Sequence, residues 1–175
     1  MHDTKVKSST DIERHTLTVL VDNEAGVLAR VVGLFSGRGY NIESLTVAEV
    51  DPVSRTSRIT IVTSGTIHVI EQIEAQLRRL VPTHKVTNWT SAKAGIEREM
   101  ALIKVAGTGE KRVEALRMAD AFRARPVDTT QSSFVFEITG SPAKIDSFVD
   151  LMRPLGLVDV SRTGVAAISR GPEAM

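Results

Sequence analysis

The hydrophobic pattern of this 175-residue chain changes period in the same order in both halves. Segments of alternating apolar residues predict half-buried strands, and apolar residues spaced three or four apart predict amphipathic helices. In each half the predicted order is strand, helix, strand, strand, helix, strand. Such a unit forms a four-stranded antiparallel sheet with both helices on one face, which leaves the other face without a helix. The predicted fold class is therefore α+β, with two ferredoxin-like βαββαβ domains in tandem.

The predicted element bounds follow from that pattern and from local stop signals. In the first half, strands are predicted over residues 14–21, 41–50, 58–63 and 85–89, and helices over 26–38 and 66–80. In the second half, strands are predicted over 99–105, 126–129 and 157–168, and another strand contains Phe134, Phe136 and Ile138 on one face. Two helices are predicted from their apolar residues. The first contains Val113, Leu116, Ala119 and Phe122, and the second contains Ile145, Phe148, Val149 and Met152. Gly39 can end the first helix in a left-handed conformation, Ser141-Pro142 can open the last helix, and Gly164 suits a bulge. The predicted domain bounds are a disordered tail over 1–13, a first domain over 14–91, a linker over 91–95 and a second domain over 96–171.

Composition argues against several kinds of function. The chain has no cysteine, which removes disulfides and thiolate chemistry and is compatible with a cytoplasmic protein. Its formal net charge of +1 gives no basic field to attract nucleic acid, and aromatic residues, which an RNA-binding sheet needs, make up only 4%. We expect no membrane span and no signal peptide, because no apolar run is long enough and the first residues are polar.

No pattern of catalytic or metal-binding residues is apparent. His2, His15, His68 and His84 lack the spacing of metal ligands, and we interpret them as surface or half-buried histidines. No serine lies in Gly-x-Ser-x-Gly, and residues 107–111 lack the spacing of a phosphate-binding loop. The sequence therefore predicts no catalytic residue and no metal site.

The segment from Asp22 to Leu28 predicts a strand-to-helix loop that could bind an anion. Gly26 lets the backbone turn sharply and approach another group closely, because it has no Cβ. The first amides of the following helix have no internal partner and carry a partial positive charge, so the carboxylate of a small ligand could bind there. Asn23 and Asn41 would supply amide side chains on either side of it. A tight turn with a helix cap explains the same residues without a ligand.

The motif Asn23–Leu28, followed by Gly39-Tyr40-Asn41-Ile42-Glu43-Ser44-Leu45, resembles the ACT domain of acetolactate (acetohydroxyacid) synthase small regulatory subunits. The similarity spans about residues 14–171 and continues through Ser57–Ile61, Ile70–Ile73, Gln76–Leu77, Glu97–Glu99, Ser161–Gly164 and Ser169–Gly171. On these motifs the chain is identified as a member of that family.

The resemblance implies a regulatory function and no enzymatic activity of the chain by itself. It implies a subunit that activates the thiamine-diphosphate-dependent catalytic subunit of acetolactate synthase and confers feedback inhibition by valine in branched-chain amino-acid biosynthesis. Thiamine diphosphate, Mg²⁺ and FAD are expected only in that catalytic partner, and no cofactor is expected in this chain. The resemblance also implies a cytoplasmic homodimer joined through ACT-domain edge strands, with the effector bound where the two subunits meet.

The resemblance also implies the residues of the effector site. The backbone amides of Gly26, Val27 and Leu28 would hold the carboxylate of valine. Asn23 and Asn41 would hold its amino and carboxylate groups, and one of them could come from the opposite subunit. Val27 and Ile42 would line the pocket for the aliphatic side chain. The predicted effector-binding set is Asn23, Ala25, Gly26, Val27, Leu28, Asn41 and Ile42.

Two other functions fit parts of the sequence. A free-standing ACT-domain amino-acid sensor would share the loop but lack an enzyme partner. A nucleic-acid-binding module would share the fold but needs aromatic residues exposed on its sheet. The arginines of the second half either form a solubilising helix face or contact the catalytic subunit; they are Arg112, Arg117, Arg123 and Arg125.

Overall fold

The computed structural model describes residues 11–92 and 95–175. Residues 1–10 of the predicted tail and residues 93 and 94 of the predicted linker lie outside the described residues. The described chain divides into two compact units. The first comprises the residues up to Ile96 together with Ala167–Met175, and the second is Glu97–Ala166. The last residues of the chain therefore group with the first unit, although the sequence pattern placed those up to 171 in the second domain.

The first unit is a four-stranded antiparallel sheet with two long helices on one face. Its elements in chain order are β1 (Glu13–Asp22), α1 (Val27–Arg38), β2 (Ser44–Asp51), β3 (Thr56–Gly65), α2 (Ile67–Arg79), β4 (Thr83–Asn88) and the short α3 (Trp89–Ala92). The strand order is β2-β3-β1-β4. This order confirms the predicted βαββαβ unit and makes β2 and β4 its edge strands.

The core of the first unit lies between the sheet and its two helices. Alternate residues of β1 and β3 point towards the helices. Of the residues spaced three or four apart in α2, Ile70, Ile73 and Leu77 are buried, whereas Ile67 at its start is 39% exposed. The residues that fill this core are Leu17, Val19, Val21, Val27, Val31, Phe35, Ile59, Ile61, Ile70, Ile73, Leu77 and Val86. Gly39 ends α1 with φ 70°, as predicted, and its amide donates to the carbonyl of Ser36.

Trp89 differs from its prediction as the end of a strand. β4 ends at Asn88, and Trp89 begins α3, where its indole Nε1 donates to Thr18 Oγ1 at 2.7 Å. The side chain of Thr18 points to the opposite face of the sheet from those of Leu17 and Val19, because successive side chains of a strand alternate between faces. The contact therefore lies on the face away from α1 and α2. The prediction that this face carries no helix was therefore wrong for the first unit.

The second unit contains four antiparallel strands and two helices. Its elements are β5 (Gly95–Ala106), α4 (Gly109–Phe122), β6 (Arg125–Thr129), β7 (Ser133–Gly140), α5 (Pro142–Gly156) and β8 (Leu157–Arg162). The last strand of the chain, β9 (Ala166–Ser169), has three of its four residues among those that group with the first unit. The order is β6-β7-β5-β8, and β9 also pairs with β5. The strand predicted over 157–168 with a bulge at Gly164 is two strands, because the chain leaves β8 after Arg162 and Gly164 takes a left-handed conformation with φ 85° before β9. Pro126 lies in the edge strand β6, as predicted.

The apolar residues in the sequence predict the buried face of α5 correctly but that of α4 only in part. Ser141 caps α5 by accepting from the amide of Lys144 at 3.3 Å, and α5 buries the predicted set Ile145, Phe148, Val149 and Met152. By contrast, α4 buries Ala115 and Ala119. Val113 and Leu116, predicted for the apolar face, are 58% and 40% exposed. The small side chains of α4 face α5, and the aromatic cluster of Phe122, Phe134, Phe136 and Phe148 supplies the bulk of this core.

Within the described residues, no helix is long and apolar enough to cross a membrane.

Candidate functional site

The β1–α1 loop turns sharply at Gly26, whose backbone has φ 85° and ψ −6°. A glycine suits this left-handed conformation because other L-residues meet a steric penalty there. The loop is fastened at its start, where the amide of Asn23 donates to the carbonyl of Arg55 at 2.6 Å and that of Glu24 to the carbonyl of Asp22 at 3.0 Å. The predicted strand-to-helix loop is thus held against the β2–β3 turn.

The N-terminus of α1 is open to a ligand. Among the described residues, no side chain caps this helix, and its first turn carries no acidic residue. A Cβ placed on Gly26 would meet nothing within 4 Å, and Ala25, Gly26 and Leu28 are exposed. The amide of Val27 donates weakly to the carbonyl of Glu24 at 3.4 Å. The partial positive charge of this helix end therefore faces accessible space.

Asn23 lies beside a carboxylate that the sequence patterns did not single out. Its Nδ2 donates to Glu49 Oε1 at 3.1 Å, and both side chains are exposed. The contact arises because Asp22 and Asp51 both pair with Thr56, which brings the end of β2 next to the start of the loop. Only the register of the β2–β3 hairpin could have indicated Glu49 in advance.

Asn41 and Ile42 lie at the other end of α1, in the connection to β2. The carbonyl of Asn41 accepts a hydrogen bond from Thr63 Oγ1 at 2.6 Å, and its side chain is exposed. Ile42 is half-buried and packs against the core of the first unit. Thr63 was also not singled out from the sequence.

The predicted site residues form two groups that do not converge within one chain. Helix α1 separates them, and its 12 residues span about 18 Å. Strand β3 gives a similar separation. Thr56 pairs with Asp22 beside the first group, Thr63 contacts Asn41 in the second group, and seven residues of a strand span about 23 Å. Asn23–Leu28 and Asn41–Ile42 therefore cannot both contact one small amino acid in a single protomer.

Val27 has a different environment from the one predicted for it. Its side chain is only 6% exposed and belongs to the core of the first unit. Leu28 is exposed and lies one residue further along α1. At this end of the helix, Leu28 is thus the aliphatic side chain that a ligand could reach.

The histidines do not form a metal site in the described part of the chain. There, no group of three or more histidine, cysteine, aspartate or glutamate residues could hold a metal ion. His15 is more buried than predicted, with 3% exposure, and its Nδ1 lies 3.3 Å from Asn88 Oδ1. His84 is exposed and lies 2.6 Å from Asp22 Oδ1. Both histidines have protein partners that account for their positions.

Three of the four arginines singled out in the second half contact different side chains. The guanidinium of Arg112 lies 3.9 Å from the centre of the Phe134 ring, a cation–π contact. Arg117 and Arg125 make exposed ion pairs with Glu114 and Glu137, respectively.

Two surface grooves lie away from the candidate site. One, of about 610 Å³, runs between α1 and α2 and is lined by Arg30, Gly33, Leu34, Gly37, Arg38, Gln76, Arg79 and Leu80. The other, of about 750 Å³, lies in the second unit and is lined by Gly109, Glu110, Lys111, Val113, Glu114, Arg117 and Leu155. Neither groove is lined by a predicted effector residue, which fits a site that one protomer does not enclose.

Comparison with known families assigns both halves of the chain. The family model described as "AHAS small subunit-like ACT domain" matches residues 17–85. The one described as "Small subunit of acetolactate synthase" matches residues 98–171. The first unit, with its Gly26 turn, is therefore an ACT domain, and the chain is of the regulatory class rather than the catalytic one.

Whole proteins agree with these assignments. The chain is 47% identical over 158 residues to the probable acetolactate synthase small subunit of Archaeoglobus fulgidus, covering 90% of this chain and 98% of that protein. It is 44% identical over 163 residues to the isozyme 3 small subunit of Escherichia coli, covering 93% and 99%. The crystal structure of the small subunit from Thermotoga maritima superposes with a TM-score of 0.80 at 36% identity, covering 92% and 99%. The chain belongs to the family of acetolactate synthase small subunits.

Proposed function

We propose that this chain activates the catalytic subunit of acetolactate synthase and makes it sensitive to feedback inhibition by valine. The proposed binding of valine is supported by the N-terminus of α1, which follows Gly26 and has no side-chain cap, and by the amide side chain of Asn23 in the same loop. An uncapped helix N-terminus favours a carboxylate, and Asn23 can donate to it or accept from the ammonium group of an amino acid. Thiamine diphosphate, Mg²⁺ and FAD are proposed to bind the catalytic subunit alone.

The separation of the two residue groups supports a site shared between two copies of the chain. β2 is an edge strand, and its exposed Val47 and Val50 suit coverage by a second copy. Antiparallel pairing of two β2 strands about a two-fold axis would place Ser44 of one copy near Asp51 of the other. Asn41 and Ile42, just before Ser44, would then lie near Asn23 of the second copy.

The chemistry of such a shared site suits a small aliphatic amino acid. The amides at the start of α1 and the two asparagines would hold the carboxylate and amino groups, and Glu49 offers an additional acceptor for the ammonium. Leu28 of one copy and Ile42 of the other would contact the aliphatic side chain. Both are apolar, Leu28 is 41% exposed and Ile42 is half-buried, so a branched side chain would remove apolar surface from water at each end.

Inhibition requires that valine bind the inhibited assembly more tightly than the active one. A ligand with equal affinity for both assemblies would not shift the equilibrium between them. A differential of about 1–3 kcal/mol, the usual allosteric range, is sufficient. A site at the dimer seam suits this function because dimer geometry can differ between assemblies while each protomer keeps its fold.

Reconstitution with the catalytic subunit tests the proposal. The catalytic subunit alone should have low activity, addition of the full chain should raise it, and valine should then lower it in a saturable titration. Leucine and isoleucine titrations compare the other branched side chains. Absence of any activation would contradict the regulatory proposal and favour a free-standing amino-acid sensor. Activation without an effect of any branched-chain amino acid would contradict the effector site alone.

A further inference from the structure

Thr63 is a buried residue outside the predicted site that contacts one of its members. It lies in β3, has 0% exposure, and donates its hydroxyl to the main-chain carbonyl of Asn41 at 2.6 Å. We infer that Thr63 is a positioning residue for the effector site, because its hydroxyl holds the backbone of Asn41 while the amide side chain faces a ligand. This inference rests on the effector site proposed above.

The connection between α1 and β2 is anchored on both sides of this contact. The amide of Tyr40 donates to the carbonyl of Phe35 at 3.0 Å, which fixes the connection to the end of the helix. The amide of Glu43 donates to the carbonyl of Val62 at 2.8 Å, which fixes it to β3. Between these anchors, the hydroxyl of Thr63 determines where the backbone of Asn41 lies. Ligand-binding groups need such support, since small displacements weaken their contacts.

The residue type at position 63 supports a role for the hydroxyl itself. Residues 59, 61 and 63 of β3 share the face towards the helices, and the first two are the core residues Ile59 and Ile61. An aliphatic residue would fill the third position without placing a polar group in the interior. A buried hydroxyl is unfavourable unless it is hydrogen-bonded. Among the described residues, the hydroxyl of Thr63 donates its hydrogen bond to the carbonyl of Asn41.

Thr63→Val removes the hydroxyl and keeps the shape of the side chain. We expect the dissociation constant for valine to rise about fivefold, the change that corresponds to one net hydrogen bond. Thr63→Ser keeps the donor and should stay within about twofold of the wild-type value. The matched control is Thr16→Val, which removes a buried hydroxyl of the same sheet that has no hydrogen-bond partner in the described chain. Its affinity for valine should equal that of the wild type.

Calorimetric titration of the full chain with valine distinguishes the outcomes, with thermal unfolding followed by circular dichroism as the check on folding. Weaker binding by Thr63→Val together with rescue by Thr63→Ser supports the positioning role. Wild-type affinity of Thr63→Val, or equal losses in the valine and serine variants, overturns it. If Thr63→Val does not fold, Thr63→Cys replaces it, because a thiol is a poor donor of similar size. A wild-type protein that binds no branched-chain amino acid would overturn the effector site itself, and the role of Thr63 with it.

Discussion

Replacement of Gly26 by aspartate perturbs the candidate carboxylate site most directly. Gly26 precedes the first residue of α1, and a Cβ at this position would project into space that holds no other atom within 4 Å. Aspartate would therefore place its carboxylate beside the helix N-terminus, where the carboxylate of valine is proposed to bind. We expect this variant to lose valine inhibition and to keep its activation of the catalytic subunit.

The magnitudes separate an effect on binding from an effect on folding. The left-handed backbone of Gly26 costs an ordinary L-residue about 1–2 kcal/mol, and aspartate and asparagine tolerate this conformation better than most. Two carboxylates about 4 Å apart repel by about 1 kcal/mol in water and by about 4 kcal/mol at an effective dielectric constant of 20. The loop is exposed, so we expect a repulsion of about 2 kcal/mol, or roughly a 30-fold loss of valine affinity.

Gly26→Asn is the matched control, because asparagine has nearly the shape of aspartate without its charge. Calorimetric titration of both variants with valine measures the difference, and reconstituted activity without valine measures activation. The aspartate variant should bind valine at least tenfold more weakly than the asparagine variant. Unchanged valine binding by the aspartate variant would refute the assignment of the carboxylate site, and equal losses in both variants would refute the electrostatic reasoning.

Two predictions concern ion pairs and pH. Burial opposes the charge of Arg162, but its hydrogen bonds to the buried Glu99 and to Asp146 outweigh this and raise the pKa of Arg162 above its ordinary value. Arg162→Met should lower the free energy of unfolding in urea by about 3 kcal/mol, since it leaves Glu99 without this partner; a loss below about 0.5 kcal/mol would contradict this. Hydrogen bonds from the hydroxyl of Ser54 and the amide of Val53 lower the pKa of Asp51 below 3.8. Because this pKa is depressed in the folded state, the stabilisation is present above about pH 4 and is lost as the pH falls through the folded value. Asp51→Asn should therefore be less stable than the wild type at pH 7, with a difference that shrinks in acid, and an equal difference at both pH values would contradict this.

The fold could be predicted where local pattern and tertiary environment agree. The stripe of α2 and the Ser141 cap of α5 were readable because each is a local signal with one buried face. The apolar face of α4 was not readable, because its alanines are buried against α5 while Val113 and Leu116 face solvent. The sequence predicts Trp89 as the end of a strand, but its indole contacts Thr18, which lies 71 positions away along the chain and which no local pattern indicates.

The candidate site was predicted in part for similar reasons. The Gly26 turn and the helix start after it are local features, and both occur where the sequence placed them. Glu49 and Thr63 reach Asn23 and Asn41 through pairing of β2 and β3, which no local pattern reveals. The division of the site residues between the two ends of α1 also emerges only when the helix is placed on the sheet.

Mixing two variants tests the shared site most directly. Asn23→Ala and Asn41→Ala should each weaken valine binding as pure dimers, because every site in them lacks one asparagine. In a mixed dimer, one site carries both substitutions and the other carries neither, so about a quarter of all sites in a randomly mixed sample should recover wild-type affinity. Differently tagged chains can show that mixed dimers form, and calorimetry can count the restored sites. Restoration at about that fraction is the predicted result, whereas mixed dimers without any wild-type site would contradict a pocket built from two copies of the chain.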